Sequence, residues 1–80
     1  MLTLKELVAK VLDIEKEMLN DESSPENIPS WDSFNGLMMV SELEDNFGVK
    51  FSLNEVIAIK KFKDIKTALR GHGITSGIEG

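Results

Sequence analysis

A single serine at the start of a predicted helix is the residue of this sequence best placed to do chemistry. The segment Asp32-Ser33-Phe34 opens an amphipathic run that ends at Phe47-Gly48. Aspartate is favoured just before a helix and glycine just after one. Ser33 therefore falls in the first helical turn, beside unpaired backbone N–H groups and the positive end of the helix dipole. Such a position favours a phosphate anion, so Ser33 is a candidate attachment point for a phosphate-linked group.

The sequence contains few other residues that could catalyse a reaction or bind a metal. There is no cysteine, which excludes disulfides and thiolate metal sites, and His72 is the only histidine. A serine hydrolase needs a base beside its nucleophile, and His72 lies between two glycines near the end of the chain. The acidic residues Glu42, Glu44 and Asp45 lack the spacing of a calcium loop. No metal site is expected, and a hydrolase that uses Ser33 as nucleophile is the weakest hypothesis.

Length and hydropathy indicate one small protein. Eighty residues make a single domain, near the size at which one core only just suffices. The apolar runs are shorter than the roughly 18 residues of a membrane span, so no membrane insertion is expected. The first residues, Met1 to Glu6, do not resemble a signal peptide. A cytoplasmic monomer is the expectation.

The charge is distributed unevenly along the chain. Residues 13–45 hold ten acidic side chains and one basic side chain, whereas residues 60–70 hold five basic and one acidic. The acidic block repels nucleic acid and attracts basic protein surfaces. The basic block is more typical of a solvated helix face than of a phosphate-binding patch.

Hydrophobic periodicity predicts an all-α fold, a small four-helix bundle of three main helices plus one short helix, with a long first loop. The capping signals Thr3-x-x-Glu6 and Ser52-x-x-Glu55 mark two of the starts. The predicted segments are a helix over about Leu4–Leu19, a loop over Asn20–Trp31 pinned by Ile28 and Trp31, helices over about Ser33–Phe47, Ser52–Ala58 and Lys63–Arg70, and a frayed tail over Thr75–Gly80. The domain is predicted to span residues 1–72, with a flexible C-terminal tail over 73–80.

The helix after Ser33 has two predicted faces. Its buried stripe is Leu37, Val40, Leu43 and Phe47, flanked by Gly36 and Met39. Its outer face is Phe34, Met38, Glu42 and Asp45. Glycine inside a helix lowers helix stability by about 1 kcal/mol relative to alanine. Gly36 therefore indicates that this position requires a small side chain.

Over about Leu4–Leu69 the chain resembles an acyl carrier protein. The resemblance rests on the order of segments: helix, long loop, D-S-hydrophobic, helix, then Phe47-Gly48-Val49 and Phe51, then a short and a final helix. It implies a covalent phosphopantetheine on Ser33, with Asp32 beside it, and no enzymatic activity of the chain itself. It further implies docking of partner enzymes on the second helix, through Phe34, Leu37, Met38, Glu42 and Asp45.

The partners that the resemblance implies are a phosphopantetheinyl transferase and acyl-activating, acyltransferase or synthase enzymes with basic docking surfaces. Their pathway would be fatty-acid, polyketide or other specialised biosynthesis. Trp31 before the motif resembles stand-alone carriers of specialised pathways. Asn35 and Met38 stand where the family often has acids, and Lys61 stands where serine or threonine would cap the last helix. The alternatives are an aminoacyl or peptidyl carrier, or a small acidic helical interaction module without a prosthetic group.

Overall fold

The computed structural model describes residues 2–78 and consists of helices joined by loops. The α-helices are α1 (Leu4–Leu12), α2 (Ser33–Phe47), α3 (Leu53–Ala58) and α4 (Phe62–Gly71), with a 3₁₀ turn at Lys16–Met18. No strand occurs within residues 2–78. The predicted all-α fold with three longer helices and one short helix is confirmed.

The first helix begins as predicted but ends seven residues early. Thr3 and Glu6 form the predicted capping box. The helix stops at Leu12 because Asp13 adopts the left-handed conformation, with φ of 56°, and its N–H returns to the carbonyls of Ala9 and Lys10. Aspartate is one of the few non-glycine residues that visit this conformation readily, so it terminates the helix where an apolar pattern alone does not.

The residues after Asp13 do not continue helix α1 as the sequence predicted. Chain direction changes there, and the next regular element is the single 3₁₀ turn at Lys16–Met18. Met18, predicted on the apolar side of a continuous helix, is 57% exposed, whereas the following Leu19 is 2% exposed and joins the core. The prediction of one helix through Leu19 was therefore wrong.

The core is built where α1 packs against α2, with α4 closing it. Ile28 and Trp31 insert from the long loop, as predicted, and carry that loop onto the helices. From α2 the buried residues are Met39, Leu43 and Phe47. Leu37 is 66% exposed, so its predicted place in the buried stripe was wrong. The remaining buried apolar residues are Leu4, Leu7, Val8, Ala9, Leu12, Leu19, Phe62, Ile65, Leu69 and Ile78.

The long loop also forms the start of α4. The amides of Phe62 and Lys63, which have no acceptor inside the helix, donate to the carbonyls of Ser23 and Asp21 at 2.8 and 3.1 Å. Asp64 accepts from the Lys61 amide at 3.0 Å. A serine or threonine cap is therefore unnecessary at Lys61.

Ion pairs connect the loop to the basic block. Glu22 accepts from the ammonium groups of Lys61 and Lys63 at 2.6 and 3.2 Å, and Asp21 accepts from Lys66 at 2.8 Å. These three lysines pair with two acids of the loop at the protein surface, whereas Lys60 and Arg70 of the same block are exposed.

The last described residues contact the start of α1. The Leu4 amide donates to the carbonyl of Gly77 at 2.6 Å, and Ile78 is 2% exposed. Ile78 thus occupies an apolar site beside α1, and the flexible tail expected over residues 73–80 stays a prediction. Residues 79 and 80 lie outside the described range, and the domain boundary at residue 72 stays a prediction.

Candidate functional site

The start of α2 holds the candidate serine in a fixed and open position. Asp32 is the N-cap, and its carboxylate Oδ1 accepts from the Asn35 amide at 2.9 Å. The Asn35 side-chain Nδ2 donates to the Ser30 carbonyl at 2.7 Å, which ties the first turn back to the loop. Ser33, the first helical residue, is exposed.

Two backbone donors beside Ser33 remain available. The first three N–H groups of a helix have no intrahelical acceptor, and Asp32 satisfies that of Asn35. The amides of Ser33 and Phe34 are left, together with the positive end of the dipole of a 15-residue helix. At α4, by contrast, loop carbonyls accept the corresponding amides. The start of α2 is thus suited to hold one negative charge next to the serine hydroxyl.

An apolar cavity of about 260 Å³ opens beside this helix start. Asp32 and Ser33 lie at it, and so do Gly36 and Leu37 from the next turn. Its other walls come from the loop and all three later helical segments: Pro25, Trp31, Met39, Val40, Leu43, Val56, Ile59 and Ile65. The predicted residues Asp32, Ser33 and Leu37 are therefore brought together at one cavity.

The remaining predicted residues lie on the outside of α2. Phe34 and Met38 are 69% and 44% exposed, Asp45 is exposed, and Glu42 is half-buried. Spacings of four, four and three residues place these side chains along one face of the helix. The predicted outer face of two apolar residues followed by two acids is confirmed as a geometric feature. Its role in binding stays a prediction.

Sequence reasoning missed two exposed apolar residues on α3. Leu53 and Ile57 are 73% and 59% exposed. Their spacing of four residues on a six-residue helix was a readable signal, because both fall on the same side. Val56 and Ile59, which line the cavity, alternate with them and were also missed.

The single histidine contacts a carboxylate and an aromatic ring. His72 Nε2 lies 2.8 Å from the Glu55 carboxylate, and its ring meets that of Phe51 edge-on, with centroids 5.4 Å apart. Within residues 2–78, no three histidine, cysteine or acidic side chains are grouped as metal ligands. Each helix in that range is also too short or too polar to cross a lipid bilayer.

The fold as a whole has close structural counterparts. A holo acyl carrier protein from Geobacter metallireducens superposes with a TM-score of 0.77 and 26% identity, over 85% of this chain and 78% of that one. This is the acyl carrier protein fold. A protein of Mycobacterium tuberculosis described as an acyl carrier protein superposes equally well, with a TM-score of 0.77, over 86% of this chain and 92% of that one.

These structural matches confirm the acyl carrier protein resemblance that the D-S and F-G-V segments predicted. At 19% identity the second match shows the fold alone. No family model matches the sequence, and no curated protein matches it either. The first counterpart is described as a holo acyl carrier protein, in agreement with the non-enzymatic role that the resemblance implies.

Proposed function

We propose that this protein carries acyl groups as thioesters on a phosphopantetheine arm that is attached to Ser33. The observation that carries the proposal is the placement of Ser33: an exposed hydroxyl at the first position of α2 and at the edge of the apolar cavity. When bound, the arm supplies the thiol that a cysteine-free chain lacks.

The residues around Ser33 fit such a group. A phosphodiester carries one negative charge, and the amides of Ser33 and Phe34 stand ready to receive it. Asp32 keeps the first turn ordered through its bond to the Asn35 amide and leaves those two donors untouched. The apolar walls of the cavity suit a short hydrocarbon chain.

The chain's own task is then presentation. Tethering by a flexible arm produces a millimolar effective concentration of cargo at a docked enzyme. Phe34, Leu37 and Met38 supply apolar contact area, and Glu42 and Asp45 supply acids that complement a basic partner surface. The partners are a phosphopantetheinyl transferase and acyl-activating, acyltransferase or synthase enzymes of a fatty-acid, polyketide or other specialised pathway. We place the protein in the cytoplasm as a monomer.

The deciding experiment is the intact mass of the protein after incubation with a broad-specificity phosphopantetheinyl transferase and coenzyme A. Wild-type protein should gain the mass of one arm, and Ser33→Ala should gain none while it keeps the same circular dichroism spectrum. Two unrelated transferases guard against a mismatched enzyme. If folded wild-type protein gains no mass with either, the carrier assignment fails, and the acidic outer face of α2 favours a plain interaction module.

The docking role is tested by replacing one exposed apolar side chain with a basic one. Met38→Lys places a positive charge in the middle of the outer face of α2 and should raise the KM of the transferase for this protein about tenfold, since like charges across an interface with a basic partner surface repel. Met18→Lys is the matched control, because Met18 is also exposed but lies on the 3₁₀ turn. Equal KM values for the two variants would remove α2 from the docking surface.

A further inference from the structure

Trp31 places one hydrogen-bond donor at the wall of a largely apolar cavity. The residue is 6% exposed and lines the same cavity as Ser33 and Gly36. Its indole Nε1 points toward α2, since a Cβ built on Gly36 would lie 3.8 Å from that nitrogen. The donor therefore lies one helical turn from the candidate attachment serine.

The indole N–H has no acceptor among residues 2–78. The Ser30 hydroxyl is the one side-chain polar atom in that range that is both enclosed and unpaired. The indole nitrogen, unpaired as well, is therefore not fully enclosed, and Trp31 is one of the residues that line the cavity. A buried tryptophan normally finds a partner for its N–H. Here the N–H is a donor that no residue in the described range pairs, and a group entering the cavity can supply its acceptor.

Gly36 is the α2 residue that faces the indole nitrogen. A methyl group there would meet Trp31 at an ordinary contact distance and nothing nearer, so helix packing does not demand glycine. Glycine is nonetheless the less favourable residue inside a helix. A methyl group at residue 36 would contact the indole nitrogen, so glycine leaves this side of the indole uncovered.

We propose that Trp31 is a positioning residue whose indole N–H binds a carbonyl oxygen of the group that inserts into the cavity. The proposal rests on the proposed function, because Ser33 is the anchor from which that group reaches the cavity. The ligand class is a short acyl group, fixed by one polar contact within apolar walls. The oxygen has two sources: the carbonyls of the arm and its thioester, or an oxo group on the acyl chain.

The chain holds one tryptophan, so its indole N–H gives a single resonance in a ¹H–¹⁵N spectrum. We would compare the apo protein with forms loaded with the bare arm, with hexanoyl and with 3-oxohexanoyl groups, each confirmed by intact mass. Binding should move the indole proton downfield and slow its exchange with solvent about five- to tenfold, as expected for one net hydrogen bond. Movement with hexanoyl identifies a thioester or arm carbonyl, and movement with 3-oxohexanoyl alone identifies the chain oxygen.

Two variants test the contact from either side. Gly36→Ala covers the N–H with a methyl group and should abolish the slowing of exchange on loading. Gly71→Ala is the control, since it is also a helical glycine and its Cβ would meet nothing within 4 Å. Trp31→Phe keeps an aromatic ring without the donor and should reduce the loading-induced shifts of the Val40 and Ile65 methyls.

The outcomes separate this inference from the function on which it rests. Loaded protein whose indole resonance is the same in all forms overturns the role of Trp31 and leaves the carrier function intact. The same holds if Gly36→Ala and Gly71→Ala respond identically to loading. Folded protein that accepts no arm overturns both.

Discussion

Near the start of α2, one polar side chain has a hydrogen-bond partner and another has none within residues 2–78. The Asp32 carboxylate accepts a backbone hydrogen bond at 2.9 Å and remains exposed to solvent. The Ser30 hydroxyl is enclosed and has no partner within residues 2–78, although its carbonyl accepts from Asn35. A satisfied cap stabilises the fold, whereas a buried unpaired hydroxyl costs free energy.

These two residues give a paired prediction. Asp32→Ala should lower the free energy of unfolding by about 1 kcal/mol, because the Asn35 amide loses its acceptor. Ser30→Ala should leave it unchanged or raise it by up to about 1 kcal/mol, because an unsatisfied group is removed. Urea denaturation of both variants measures the difference. A larger loss for Ser30→Ala than for Asp32→Ala would contradict this account of the helix start.

At the scale of elements, some boundaries were readable and others were not. Helix α2 spans Ser33–Phe47 as predicted, because a capping aspartate and a left-handed glycine, Gly48 with φ of 67°, mark both ends. The end of α1 was missed because the apolar pattern continues past Asp13, and nothing local distinguishes an aspartate within a helix from one that ends it. Leu19, beyond the end of the helix, is 2% exposed and packs in the core. Such a tertiary contact is not visible in the local sequence pattern.

The loop that precedes α2 is held by charge as well as by packing. The hydrogen bond and charge of Lys66 lower the pKa of Asp21, and those of Lys61 and Lys63 lower the pKa of Glu22. The same contact with Glu22 raises the pKa of Lys61. The basic block of the sequence was visible, but its partners 39 to 45 residues away were not.

The pH dependence of stability follows from the direction of these shifts. A carboxylate whose pKa is lower in the folded state stabilises the fold above its unfolded pKa, and this contribution is lost as the pH falls through the folded value. The melting temperature should therefore fall as the pH drops below about 4, and Glu22→Gln should flatten that fall. Glu17→Gln is the control, since Glu17 has no ion pair within the described chain. Identical acid profiles for the two variants would exclude Glu22 as a contributor.

At the scale of the whole molecule, lysines of the basic block pair with acids of the long loop, and an acidic residue of α2 remains exposed. Lys61, Lys63 and Lys66 pair with Glu22 and Asp21 of the loop, while Asp45 on α2 is exposed to solvent. Sequence patterning predicted the fold class, α2 and the place of Ser33. It could not predict the cavity, because Pro25, Val56 and Ile65 meet there from distant parts of the chain.

The end of the chain tests how much this small domain depends on each buried residue. Ile78 is 2% exposed, and the carbonyl of Gly77 accepts from the first amide of α1. A chain of this size buries little surface and has a total stability of about 5–15 kcal/mol, so one buried isoleucine is a substantial fraction of it. Ile78→Ala should lower the free energy of unfolding by about 2 kcal/mol or more.

The matched control for that prediction is Ile57→Ala, the same change at a side chain that is 59% exposed on α3. Its effect should stay within about 0.5 kcal/mol, since it opens no cavity. Urea denaturation with equal slopes for the two variants isolates the difference in stability. Equal midpoints would mean that residues 75–78 fray as their glycine-rich sequence suggests. A lower midpoint for Ile78→Ala alone would show that the folded domain extends beyond residue 72. It would also show that the C-terminal segment stabilises the start of α1.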